Sequence, residues 1–205
     1  MNRQGTNLVG GALTSAAARE QKGLAPVRGR RTLPPIVPAS EPSQGASLFL
    51  CITFFPSERM ATAVLRLVSS FCGMVLDDAN VSSRFYMAAH ELAENITKYS
   101  TGPRVSLELV MEEAESSCIL KIRARNEASP ERLREVEKRL FALKTASDPV
   151  KHYDDLISET AMLEGVSGLG LARVRAEGGL DVDYKIEGNE LTITAHAPVE
   201  RWRAD

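Results

Sequence analysis

Five stretches of this chain alternate apolar and polar residues with a period of two, and no other feature restricts the fold as strongly. Leu48, Leu50, Ile52 and Phe54 alternate through Ser47–Phe55, which ends at Pro56. Val105, Leu107, Leu109 and Met111 share one side of a second stretch, and Cys118, Leu120, Ile122 and Ala124 one side of a third. Leu180–Glu187 and Glu190–His196 alternate around Gly188-Asn189 and read as a hairpin. Successive side chains of a strand point to opposite faces, so each stretch carries an apolar face and a mostly polar one. Strands of this kind build a sheet covered on one side and wet on the other, the habit of antiparallel order.

The cover comes from segments of helical period. Ser57 can cap a helix in which Met60, Val64, Leu67, Val68, Phe71 and Val75 recur at helical spacing. Asp77–Asn80 interrupts it, and a second helix runs from about Ser82 to Tyr99, stopping at Gly102-Pro103. Pro130–Leu143 reads as a charged amphipathic helix with proline at its start. Thr145–Glu164 is weakly patterned, a long loop or short helices. Gly168–Glu177 is a further helix stopped by Gly178-Gly179. The expected fold is α+β: a two-layer sandwich, with a mixed, mainly antiparallel sheet of about five strands and helices on one face.

Only residues 47–199 carry this patterning. Residues 1–46 are rich in Gly, Ala, Ser, Pro and Arg, and such a segment buries too little to offset its ordering entropy, so it reads as a disordered tail. The tail is basic: it holds six of the 25 Lys and Arg but two of the 27 Asp and Glu. Residues 200–205 form a short extension, with Trp202 as a packing anchor. A net charge of −2 gives no general reason to expect nucleic acid or a membrane surface as partner. No apolar run reaches the roughly 20 residues that cross a bilayer. Asn7–Ala18 is interrupted by Gly10 and Gly11 and does not read as an export signal. Cys51, Cys72 and Cys118 sit in apolar runs without metal-ligand spacing, as buried thiols of a reducing compartment do.

Two segments carry chemistry. On the second helix Phe85, Ala89, Leu92, Ile96 and Tyr99 form a core stripe, and Glu91, Asn95 and Lys98 fall in one neighbouring sector. A carboxylate, a carboxamide and an ammonium aligned this way suit a metal–phosphate site, and Mg²⁺ takes oxygen ligands of this sort. On spacing alone the strip also reads as an ordinary solvent-facing Glu/Lys mixture. Further along, Gly165-Val166-Ser167-Gly168-Leu169-Gly170-Leu171 precedes a helix. Glycines allow close approach of backbone to phosphate, and a helix start offers free N–H groups; a flexible hinge is the alternative. No Gly-Lys-Ser/Thr follows, so this is not a Walker A loop.

His90-Glu91-Leu92-Ala93-Glu94-Asn95-Ile96-Thr97-Lys98-Tyr99-Ser100 resembles the N-box of the histidine kinase-like ATPase superfamily, whose ATP-binding domains have the Bergerat fold. It is most similar to the stand-alone domains of anti-sigma-factor serine kinases. Gly168-Leu169-Gly170-Leu171 resembles that family's second glycine box, and the order of motifs along Ser47–Val199 agrees. The resemblance implies ATP and Mg²⁺ as cofactors. It implies that Asn95 holds the metal, that Lys98 lies near the phosphates, and that Gly168, Leu169 and Gly170 shape the phosphate loop. Glu91 would be the general base for transfer to a serine. It further implies a cytoplasmic bacterial regulator whose partner is an antagonist or a sigma-factor-like protein, with room for a homodimer.

The family's Asp-x-Gly-x-Gly box is missing. Arg125-Asn126-Glu127-Ala128-Ser129-Pro130 stands in its place, and the alternation puts Asn126 on the core-facing register. Asn126 is the candidate to receive the adenine amino group through its carbonyl, without the aspartate's charge. A divergent ATP-binding kinase or regulator is therefore one reading. A degenerate domain that binds protein, or acts as a nucleotide-gated switch, is the other. His152, Tyr153, Asp154 and Asp155 read as a solvated lid, and His196 as a surface residue ending the last strand.

Overall fold

The computed structural model describes residues 46–113, 118–160 and 168–200, and of 46–49 the backbone alone. The basic tail up to residue 45, Gly165–Ser167 of the glycine loop and Trp202 lie outside the described residues. Five strands, β1 (Ala46–Phe54), β2 (Val105–Glu113), β3 (Cys118–Glu127), β4 (Asp181–Glu187) and β5 (Glu190–Val199), form one sheet in the order β1-β2-β3-β5-β4. All four pairings are antiparallel. Five helices accompany them among the described residues: α1 (Glu58–Val75), α2 (Ala79–Tyr99), α3 (Pro130–Thr145), α4 (Pro149–Thr160) and α5 (Leu169–Ala176).

The alternating residues meet the helices in a single core. Leu107, Leu109 and Met111 of β2, Leu120, Ile122 and Ala124 of β3, and Ile193 and Ala195 of β5 are buried in one cluster. Val64 and Val68 of α1, Leu92 and Ile96 of α2, Leu140 of α3 and Val174 of α5 belong to the same cluster. Caps set the helix starts: Ser57 accepts a bond from the Met60 N–H, Asp78 from Asn80 and Val81, and Ser129 from Arg132. The β4–β5 hairpin turns at Gly188, whose φ of 60° suits a residue without a Cβ.

Three expectations shift. The inward face of α1 is Ala61, Val64, Leu65, Val68, Cys72 and Val75, while Met60 and Leu67 are exposed. The apolar arc of this helix is wider than a core stripe, so its spacing alone does not locate the buried side. The alternate face of β2 is also not wet: Ser106, Glu108 and Val110 are buried. β2 lies between β1 and β3, and long cross-strand side chains cover it; Arg123 stands opposite Glu108 and donates to its Oε2 at 3.0 Å. His196 lies within β5 rather than at its end, 3.1 Å from Asp183 of β4 and half-buried. The weakly patterned stretch after α3 contains α4, a helix with no buried residue.

All three cysteines are free, with Cys72 and Cys118 buried and Cys51 partly so. Burial pushes the Cys72 thiol up to about 11. Among the described residues no helix is long and apolar enough to cross a membrane.

Candidate functional site

A cleft of about 330 Å³ opens between the sheet and the helices that follow β3. Its volume is at the lower end for small-molecule sites, which run to about 300–1,000 Å³. Asn95, Ile96 and Tyr99 of α2 line one side, with Asn126 of β3 and Leu191 and Ile193 of β5. Gly168 and Leu169 at the start of α5 close one end, and α3 and α4 supply the opposite side with Arg132, Glu135, Arg139, His152 and Leu156.

Of the seven residues singled out in the sequence, Asn95, Asn126, Gly168 and Leu169 line this one cleft. Asn95 gets there because it lies one residue before the core residue Ile96, on the edge of the buried stripe. Asn126 continues the inward register of Leu120, Ile122 and Ala124, pairs with Leu191, and is 5% exposed. Its Nδ2 donates to the Glu127 carbonyl at 3.1 Å. Gly168 has φ 127°, a conformation that strains any side chain, and serves as the N-cap of α5 without a side-chain hydrogen bond. Among the described residues no side chain caps the start of α5, and its N-cap Gly168 and first residue Leu169 line the cleft at the positive end of the helix dipole.

Glu91, Lys98 and Gly170 do not line the cleft. Glu91 packs so closely against Gly170 that a Cβ there would clash with the Glu91 Oε2. Its Oε1 is 3.6 Å from Arg173 Nη1, and Arg173 in turn binds Glu177 at 2.7 Å. Glu91 thus ties the first turn of α5 to α2. Arg84 does the same at the other end, donating to the carbonyls of Gly178 and Gly179. Burial, then the neighbouring Glu94, holds the Glu91 carboxyl above its ordinary range, against the opposing pull of His90 and Arg173. Lys98 is exposed, its Nζ 5.3 Å from the centre of the Tyr99 ring.

Tyr99 also stacks under Arg132, at 4.3 Å. Glu135 bridges Arg132 at 2.9 Å and Arg139 at 2.8 Å, and these guanidiniums hold its carboxyl below the ordinary range. Arg139 also lies beside the glycine turn, 3.9 Å from where a Cβ on Gly168 would be. These α3 residues were not singled out in the sequence. Their signal is the recurrence of 132, 136, 139 and 143 on one helix face, which the surrounding charges obscure.

The glycine turn, the uncapped start of α5 and the adjacent Arg139 fit the phosphates of a nucleotide. The apolar walls and the Asn126 carboxamide fit a base. For a divalent ion Asn95 is the oxygen donor that α2 brings to the cleft, since Glu91 faces Gly170 and Arg173. Among the described residues no three His, Cys, Asp or Glu side chains converge on a metal-sized site.

No sequence profile of a known protein family matches the chain, and no curated protein does. The fold is similar to a chain in the crystal structure of the SiaB-SiaC complex from Pseudomonas aeruginosa. The TM-score is 0.54 at 14% identity, over 76% of this chain and 92% of that one.

Proposed function

We propose that the cleft binds ATP with Mg²⁺ and that the domain regulates a partner protein in the cytoplasm, in the manner of the anti-sigma-factor serine kinases it resembles. The convergence of Asn95, Asn126 and Gly168-Leu169, distant in sequence, on one cleft carries this reading. Asn126 would accept from the adenine amino group. The start of α5 and Arg139 would hold the phosphates, and Asn95 the metal with phosphate oxygens and water completing its shell. Bound ATP supplies a transferable phosphoryl group. The partner protein finds support in the similar fold of a chain solved within a two-protein complex.

In the kinase form of this reading, Glu91 takes the proton from a serine hydroxyl of the partner. That role requires its carboxylate to leave Gly170 and Arg173. The contact Glu91 makes with both favours a second form: a nucleotide-gated switch in which Glu91 holds α5 in place and no phosphate moves.

Titration calorimetry with ATP and Mg²⁺ tests the shared premise. Binding is expected, weakened at least about tenfold, or about 1.4 kcal/mol, by Asn95→Ala. No heat at millimolar nucleotide overturns it. Where ATP binds, transfer of labelled phosphate to a co-purifying protein, abolished by Glu91→Gln, separates kinase from switch.

A further inference from the structure

Three charged side chains of α3 form one unit along the cleft. Arg132, Glu135 and Arg139 all line it, and the two arginines stand seven residues apart, about 10 Å along the helix axis. Arg132 marks one end, with its guanidinium 4.3 Å from the centre of the Tyr99 ring. Arg139 marks the other, beside Gly168 at the glycine turn. Glu135 stands one turn from each and gives each a carboxylate oxygen. Its Oε2 accepts from Arg132 Nη1 at 2.9 Å, and its Oε1 from Arg139 Nη2 at 2.8 Å.

A carboxylate held this way makes the same kind of charge-assisted bonds that a phosphate makes with guanidiniums. It sets one negative charge against two positive ones, and the arginines keep it ionised. All three groups are nearly half exposed, and the pairs run three and four residues along one helix. Pairs of that kind are individually weak. That weakness makes them poor contributors to stability and easy to exchange. A polyphosphate brings more negative charge than one carboxylate, so it can take the place of Glu135 on both arginines.

We propose that Glu135 is an internal competitor for the phosphate groups of the nucleotide, holding Arg132 and Arg139 until a polyphosphate displaces it. The proposal rests on the reading of the cleft as a nucleotide site and adds what sets the affinity of that site. Every ligand that engages the two arginines must first release them from Glu135.

Titration calorimetry of the full chain with ATP and Mg²⁺, and separately with inorganic tripolyphosphate, tests the proposal. Glu135→Gln keeps the shape of the side chain and removes its charge. It is expected to tighten both ligands about three- to fivefold, the effect of releasing two such pairs. Glu137→Gln makes the same change of net charge on the same helix, at an exposed residue that does not line the cleft, and should leave both affinities unchanged. Equal binding by wild type and Glu135→Gln overturns the proposal and leaves the nucleotide reading standing. Weaker binding by Glu135→Gln overturns it too, because Glu135 would then be placing the arginines for the phosphates. A gain from Glu137→Gln as large as that from Glu135→Gln overturns the exchange in favour of a general charge effect. No binding of either ligand by either protein at millimolar concentration overturns the nucleotide reading and this proposal with it.

Discussion

The two walls of the cleft are built differently. Ile96, Asn126, Leu191 and Ile193 belong to α2, β3 and β5, and none exceeds 5% exposure. They are placed by the central core, whose sheet pairings run unbroken through β3 and β5. Across the cleft, α4 has no buried residue, and its Tyr153 and Leu156 only lean on the core. Phe141, Val150 and Ile157 on that side remain exposed. The wall that would read a base and hold a metal is formed before any ligand arrives. The α4 part of the other wall has the low burial of segments that open locally, as ligand-binding lids do, while α3 beside it is anchored by buried Leu140 and Leu143.

The largest effects should therefore come from the fixed wall. Leu92, fully buried in α2 beneath Glu91 and Asn95, is expected to cost about 2–5 kcal/mol on replacement by alanine. Leu156→Ala in α4 should cost about 1 kcal/mol or less. Urea denaturation measures both, and amide exchange should be much faster over residues 149–160 than over α2. Equal costs, or equal protection, would erase the distinction between the walls.

A smaller effect tests how α5 joins the fixed wall. Gly170→Ala drives a methyl group into the Glu91 carboxylate, which can escape only by giving up Arg173. The expected loss is about 1 kcal/mol, at the low end for overpacking because the displaced group is the end of a flexible side chain. Adding Glu91→Ala should recover most of it, a coupling that a double-mutant cycle reads directly. Additive losses would mean that α5 is not positioned through Glu91.

The legibility of the sequence follows the same division. The sheet and the place of Asn126 could be read because a strand's period of two sorts faces without ambiguity, and because β3 keeps that period to its end. Asn95 could be read because one wheel holds both the core stripe and its neighbour. The α3 side could not. Which of its charged residues faces the cleft depends on how α3 seats against β4, a long-range contact that no local pattern encodes. The buried side of α1 was only partly legible for a related reason: the exposed Met60 and Leu67 widen its apolar arc beyond the residues that pack on the core. Glu91 illustrates a further limit. Its spacing to Asn95 was visible, but its engagement with Gly170 and Arg173 depends on where a distant helix begins.

The smallest predicted effect asks what holds that engagement together. Burial comes first among the causes that raise the Glu91 carboxyl, Glu94 second, and the pull of Arg173 only partly opposes them. A carboxyl raised on folding binds its proton more tightly in the folded state than in the unfolded one. Its contribution to stability is then fully present below the ordinary value of 4.5 and is lost as the pH rises through the raised value. Glu91→Gln stays neutral and carries no such loss. The stability difference between variant and wild type should therefore move in favour of Glu91→Gln as the pH climbs from about 4.5, in denaturation curves taken at matched ionic strength. A shift of opposite sign would mean that the Arg173 ion pair outweighs desolvation. In that case α5 is fastened to the fixed wall by charge, and salt should loosen it. The predicted sign instead makes the contact one of close packing around Gly170, held despite its charge.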